Sequence, residues 1–66
     1  MKVSDCLNNI PEKQLGYIRM IDIVMGGEAN ERGLDTYTNK ELLDAQQKDA
    51  HCYYNIGEYW HIIYSK

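Results

Sequence analysis

Tyr53-Tyr54-Asn55-Ile56-Gly57-Glu58-Tyr59-Trp60-His61-Ile62-Ile63-Tyr64 holds five of the chain's seven aromatic residues. Two runs of β-favouring residues flank a polar, glycine-bearing step, which is the pattern of a β-hairpin. A chain of 66 residues has little apolar surface to bury, so this hairpin must supply much of the core. Asn55-Ile56-Gly57 fits a three-residue loop with Gly57 left-handed. That register sets Tyr54 opposite Glu58, Tyr53 opposite Tyr59 and His51 opposite His61. Cys52, Tyr54, Trp60, Ile62 and Tyr64 then share one face, read as core. His51, Tyr53, Tyr59, His61 and Ile63 share the other. A two-residue loop would instead pair Cys52 with His61 and mix these sets, because register decides which face every side chain joins.

Ahead of the hairpin, Thr38-Asn39-Lys40-Glu41 reads as a capping box, with Tyr37 and Leu42 placed for a hydrophobic staple. The helix it opens is expected over Asn39–Asp49, with Leu42, Leu43 and Ala45 turned inward and Lys40–Asp44 and Asp44–Lys48 as i,i+4 pairs. Further back, the β-branched run Tyr17–Met25 favours a strand, apolar toward both faces and so central in its sheet. Gly26-Gly27 ends it, and a short returning strand is expected near Leu34. At the start, Ser4 can cap a short helix carrying Val3, Leu7 and Ile10, which must stop before Pro11. The expected fold is one α+β domain over residues 1–66. It comprises a three- or four-stranded antiparallel sheet, one capped helix packed on it and a short N-terminal helix.

Composition narrows the function class. With 44% hydrophobic and 26% charged residues the chain is globular in type. No apolar run exceeds three residues, which leaves no membrane-spanning stretch and no signal-peptide core. The opening Met1-Lys2-Val3-Ser4-Asp5 already reads as folded sequence, so a cytoplasmic location is expected. Net charge is −3 and no two basic residues adjoin, which argues against direct nucleic-acid binding. Glu28, Glu31, Asp35, Glu41, Asp44 and Asp49 crowd the middle of the chain and suit a basic protein partner. Together with Tyr53, Tyr59 and His61, rigid aromatic contact groups, Glu31, Asp35, Glu41, Asp44 and Asp49 form the expected partner-binding set.

Two cysteines and two histidines, Cys6, His51, Cys52 and His61, make up the ligand types of a structural zinc site, and such a staple would help a small domain. The spacing lacks the usual short ligand pairs. His51 and Cys52 are also neighbours that a regular strand points to opposite faces. The competing reading makes the cysteines small hydrophobes and the histidines surface strand residues. Catalysis has no comparable signal. Cys52 with His61 is the only nucleophile–base combination, and neither an orienting group nor a phosphate loop accompanies it. A non-enzymatic protein is expected.

The order Val3-Ser4-Asp5-x-Leu7-x-x-Ile10-Pro11, a strand at 17–25, a capped Asn39-Lys40-Glu41-Leu42-Leu43 helix and a closing hairpin resembles small proteins of phages and prophages of Gram-positive bacteria. Many such proteins inhibit host machinery, and anti-CRISPR proteins are of this size and often acidic. The resemblance implies a non-catalytic inhibitor that binds a host protein, an RNA-guided DNA nuclease foremost. The alternative is a small structural or regulatory phage component that self-associates through its sheet, with or without a structural zinc.

Overall fold

A central strand is favoured by apolar groups in both alternating sets, and Ile18-Arg19-Met20-Ile21-Asp22-Ile23 carries them on both, Arg19 and Asp22 apart. In the computed structural model, which describes residues 1–24 and 26–65, this segment is strand β1 (Ile18–Ile23), central as its sequence requires. The Met25 end of the expected strand lies outside the described residues. Gly26 and Gly27 turn the chain at φ 97° and 82°, a region that side chains with a Cβ rarely enter. The Val24 N–H donates to the Glu28 carbonyl across the turn at 2.9 Å. Strand β2 (Ala29–Gly33) then returns antiparallel to β1, slightly earlier than expected.

Helix α1 (Val3–Asn9) is capped two residues earlier than expected. The Lys2 N–H donates to Asp5 Oδ2 at 2.8 Å, and Ser4 lies within the helix. It ends at Ile10, whose extended backbone (φ −92°, ψ 130°) is what a following proline imposes. A 3-10 helix over Glu12–Tyr17, not anticipated, leads into β1. Helix α2 (Asn39–Gln46) begins on the expected capping box. The Glu41 N–H donates to Thr38 Oγ1 at 3.1 Å, and the Thr38 N–H donates to Glu41 Oε1 at 3.0 Å. It stops short of Asp49 because Lys48–Ala50 is drawn into backbone pairing with Met1–Val3. The Val3 N–H reaches the Lys48 carbonyl at 2.9 Å, and the Ala50 N–H reaches the Met1 carbonyl at 2.7 Å.

Strands β3 (Ala50–Ile56) and β4 (Tyr59–Ser65) form the C-terminal hairpin. The sheet order is β2-β1-β4-β3. Its two outer ladders are antiparallel, as expected, and the central β1–β4 ladder is parallel. The hairpin register corrects the expected one. Gly57 (φ 59°) and Glu58 form a two-residue loop with glycine first, the place a type II′ turn wants it. Ile56 therefore faces Tyr59, Tyr54 faces His61, Tyr53 faces Ile62 and Cys52 faces Ile63. A bulge between Ala50 and Cys52 restores Ala50 to Tyr64.

One face of the sheet is covered. Val3 and Cys6 of α1, Ile10 just after it and Ala45 of α2 pack with Ile18, Met20, Ile62 and Tyr64, all buried. Each fully buried aliphatic side chain of this kind contributes roughly 1.5–3 kcal/mol. Tyr53 joins this inner face and stacks on Trp60 with ring centroids 6.0 Å apart, while Trp60 Nε1 donates to Gln14 Oε1 at 2.9 Å. Leu42 is half-buried, but Leu43, expected inward, is 64% exposed.

Candidate functional site

Alternation along the same strands fills a second, outer face. Arg19, Ile21 and Ile23 of β1 lie in register with His61, Ile63 and Ser65 of β4, and Cys52, Tyr54 and Ile56 of β3 extend the row. The buried residues of α1 and α2 belong to the inner face, and the 3-10 helix reaches the outer one through Tyr17. Tyr17, Tyr54, Ile56 and Tyr59 are exposed, with Tyr59 47% accessible and Ile56 63%. The rings are nevertheless ordered against each other. Tyr54 stacks on His61 at 5.0 Å with planes 7° apart, and Tyr17 meets Tyr59 edge-on at 5.9 Å. Aromatic pairs of this geometry are worth about 0.5–1.5 kcal/mol beyond the area they bury. Arg19 Nε donates to Glu31 Oε2 at 3.1 Å, and this pair with Tyr59 and His61 lines a shallow depression of about 220 Å³.

The expected partner-binding residues divide between places. Glu31, Tyr59 and His61 gather on the outer face. Asp35 sits beside them, its Oδ1 only 2.7 Å from where a Cβ on Gly33 would stand, close to Arg19. Glu41 and Asp44 belong to α2 on the other side of the sheet. Asp49 is exposed and pairs with Lys2 Nζ at 3.3 Å. Tyr53 is corrected from the open face to the covered one, and Cys52 and Tyr54 from the covered to the open; the register is the cause in each case.

The four zinc-ligand candidates are not brought together. Cys6 is buried on the inner side of α1, whereas Cys52 is exposed on strand β3, and both are free thiols. His51 Nε2 hydrogen-bonds Ser65 Oγ, while His61 stacks on Tyr54 with a buried Nδ1 that has no hydrogen-bond partner among the described residues. Burial pushes the Cys6 thiol above its ordinary value, the direction that keeps it protonated. Among the described residues no three His, Cys, Asp or Glu side chains gather within reach of one metal ion. As for the nucleophile–base combination, Cys52 faces Ile63 in the ladder and His61 is engaged with Tyr54.

Sequence reading missed a third arrangement, a cleft of about 440 Å³ between α2 and one end of the inner face. Arg32 on β2 organises one wall. Its Nη1 donates to Glu41 Oε2 at 2.9 Å, its Nε and Nη2 donate to the hydroxyl and carbonyl of Thr36, and its guanidinium lies 4.1 Å over the Tyr37 ring. Hydrogen bonds from Arg32 and Thr38 lower the Glu41 carboxyl to about 2. The Tyr37 and Tyr64 hydroxyls bond each other at 2.9 Å, and burial raises the pKa of both phenols. At the back lies Asp22, 6% exposed, its Oδ1 without a hydrogen-bond partner among the described residues. An aspartate in the middle of Ile21-Asp22-Ile23, on a central strand, was the available signal, since carboxylates are seldom buried unpaired.

Among the described residues no helix is long and apolar enough to cross a membrane. Comparison with protein-family models, with curated proteins and with solved structures returns no match to this chain.

Proposed function

We propose that the chain is a non-catalytic binding protein that engages a partner protein through the outer face of its sheet. The observation that carries this reading is the set of exposed Tyr17, Tyr54, Ile56 and Tyr59 on the face away from α1 and α2. Half-buried Ile21, Ile23 and Ile63 lie alongside them. An apolar and aromatic centre with a polar rim is the usual anatomy of a protein interface. Here Glu31, Asp35 and Glu58 supply acids to the rim, and net charge is −3, so the complementary partner has an apolar patch edged by Lys and Arg.

The layout likeness to small phage inhibitors makes an RNA-guided DNA nuclease the first partner to assay. Purified nuclease loaded with guide should lose cleavage activity in proportion to added protein. Binding should weaken at least about 30-fold for the double variant Tyr54→Ala/Tyr59→Ala, the loss expected when hot-spot aromatics are truncated. A double variant that stays folded and inhibits as well as the parent would remove the outer face from the reading.

Self-association is the second reading, favoured by the outer edge of β3, which beyond the Met1–Val3 pairing has no strand partner among the described residues. Sedimentation over a hundredfold concentration range separates the two. A concentration-dependent dimer supports self-association, and a monomer throughout supports the heterologous partner.

A further inference from the structure

We propose that the cleft between α2 and the inner end of the sheet binds a primary ammonium group, with Asp22 as its counter-ion. The cleft lies on the covered side of the sheet, so the inference is independent of the outer face and its partner.

The argument starts from Asp22. A carboxylate taken out of water is tolerated when it is paired or fully hydrogen-bonded. Asp22 is 6% exposed, lines the cleft, and leaves Oδ1 unmatched among the described residues. Of the neighbouring groups that could have answered it, the Arg32 guanidinium and the two tyrosine hydroxyls are committed elsewhere. Arg32 spends its guanidinium on Glu41 and Thr36, and the Tyr37 and Tyr64 hydroxyls hydrogen-bond each other. Lys48 stands at the cleft with no ion pair among the described residues, on the α2 side with Asp44.

With Arg32 and Glu41 cancelling each other, Asp22 and Asp44 outnumber Lys48, so the open space favours a cation. Its volume, about 440 Å³, falls within the range of small-ligand pockets. The geometry also chooses the kind of cation. A guanidinium wants two acceptor oxygens in one plane, whereas an ammonium is a compact point charge on a flexible stem. The Tyr37 ring face, where a planar guanidinium would stack, is already taken by Arg32, so the compact ammonium is the better fit. A divalent metal fits poorly, because among the described residues no three acidic, His or Cys side chains converge. The ammonium can be that of a free alkylamine or of a lysine side chain offered by another protein. The chemistry at Asp22 is the same.

The test titrates the 15N-labelled protein with 1,5-diaminopentane and, separately, with Nα-acetyl-lysine amide, using Nα-acetyl-arginine amide as the guanidinium control. Saturable amide shifts confined to Ile23, Tyr37, Ala45 and Tyr64 are expected with the amines, and much weaker ones with the arginine derivative. Binding of both amines assigns the site to lysine side chains as well as free amines; binding of the diamine alone assigns it to free amines. Asp22→Asn should weaken the amine at least about 30-fold while leaving thermal stability equal or higher, since it removes a buried charge. No saturable shift at the cleft of the wild-type protein, or equal affinity in a folded Asp22→Asn variant, overturns the proposal. If that variant does not fold, the wild-type titration decides alone, and shifts scattered over the acidic surface overturn it as well.

Discussion

Met20 and Ile21 are neighbours on β1, yet Met20 is fully buried beneath the helices while Ile21 is only half-buried and faces the side away from α1 and α2. The same contrast runs across the sheet: Ile62 against Ile63, Tyr53 against Tyr54, Trp60 against Tyr59. Both faces are rich in Ile and Tyr, so residue type does not distinguish core from surface here. What distinguishes them is where the connections run. Both helices fall on one side, and the opposite rows keep contact only within the sheet. The inner face accordingly sets stability, and the outer face is free to be spent on recognition.

The sharpest way to break this contrast is to truncate adjacent residues. Met20→Ala should cost about 3–4 kcal/mol, the range for emptying a filled core site. That is comparable to the whole stability of a domain this size, so the variant should be largely unfolded by circular dichroism at room temperature. Ile21→Ala should cost about 1 kcal/mol and stay folded. Equal losses would mean that something covers the outer face as well.

Tyr64→Phe comes next and should cost about 1 kcal/mol in urea denaturation by removing the hydroxyl pair with Tyr37. The pair also sets an alkaline limit. Both phenols are raised in the folded state, so their contribution is complete below the ordinary tyrosine range and is lost as pH climbs above about 10. Tyr64→Phe should make the melting temperature fall less steeply above that pH, and an unchanged slope would detach the pair from the effect.

Glu41 acts at the opposite end of the scale. Its folded-state value of about 2 lies below the ordinary glutamate value, so its stabilisation is present at neutral pH and lost as pH falls through the acid range toward about 2. Glu41→Gln should lower the melting temperature slightly at pH 7 and not at pH 2. A deficit that persists at pH 2 would assign the residue's worth to packing. Smallest of all, Tyr54→Ala should cost about 0.5–1 kcal/mol through the lost stack on His61, with far-ultraviolet dichroism unchanged.

Local signals were the legible ones. The Thr38–Glu41 capping box, the stop before Pro11, the break at Gly26-Gly27 and the central place of β1 all depend on residues within a turn or a strand of one another. The hairpin register was not legible. Gly57 can end a three-residue loop or open a two-residue one, and in either position it takes a positive φ. That ambiguity moved Tyr53 inward and Cys52 and Tyr54 outward, and the bulge before Cys52 leaves no trace in the alternation of the sequence. Of the cleft only Asp22 left a signal, in the apolar run around it; its assembly did not, since Asp22, Arg32, Tyr37 and Tyr64 come from four segments. The outer-face acids Glu31 and Asp35 were named from composition alone, and the fold set them beside Tyr59 and His61 without any periodicity announcing it.

The parallel β1–β4 ladder has a consequence for how the molecule assembles. Each antiparallel hairpin closes over a short turn, but Ile18 meets Trp60 across 42 positions of sequence (60 − 18). An isolated hairpin is marginal at best in water, and here neither one buries an apolar face before the seam forms. The entropic toll of the long closure therefore falls before any core contact repays it, which makes a slow, all-or-none folder for so short a chain. In pulsed hydrogen exchange during refolding, amides of β1–β2 and β3–β4 should gain protection together with the seam. Early protection in one hairpin would show it forming alone. Until that zipper closes, the tyrosines of both faces stand equally in water, and only its closure decides which of them the protein keeps and which it offers.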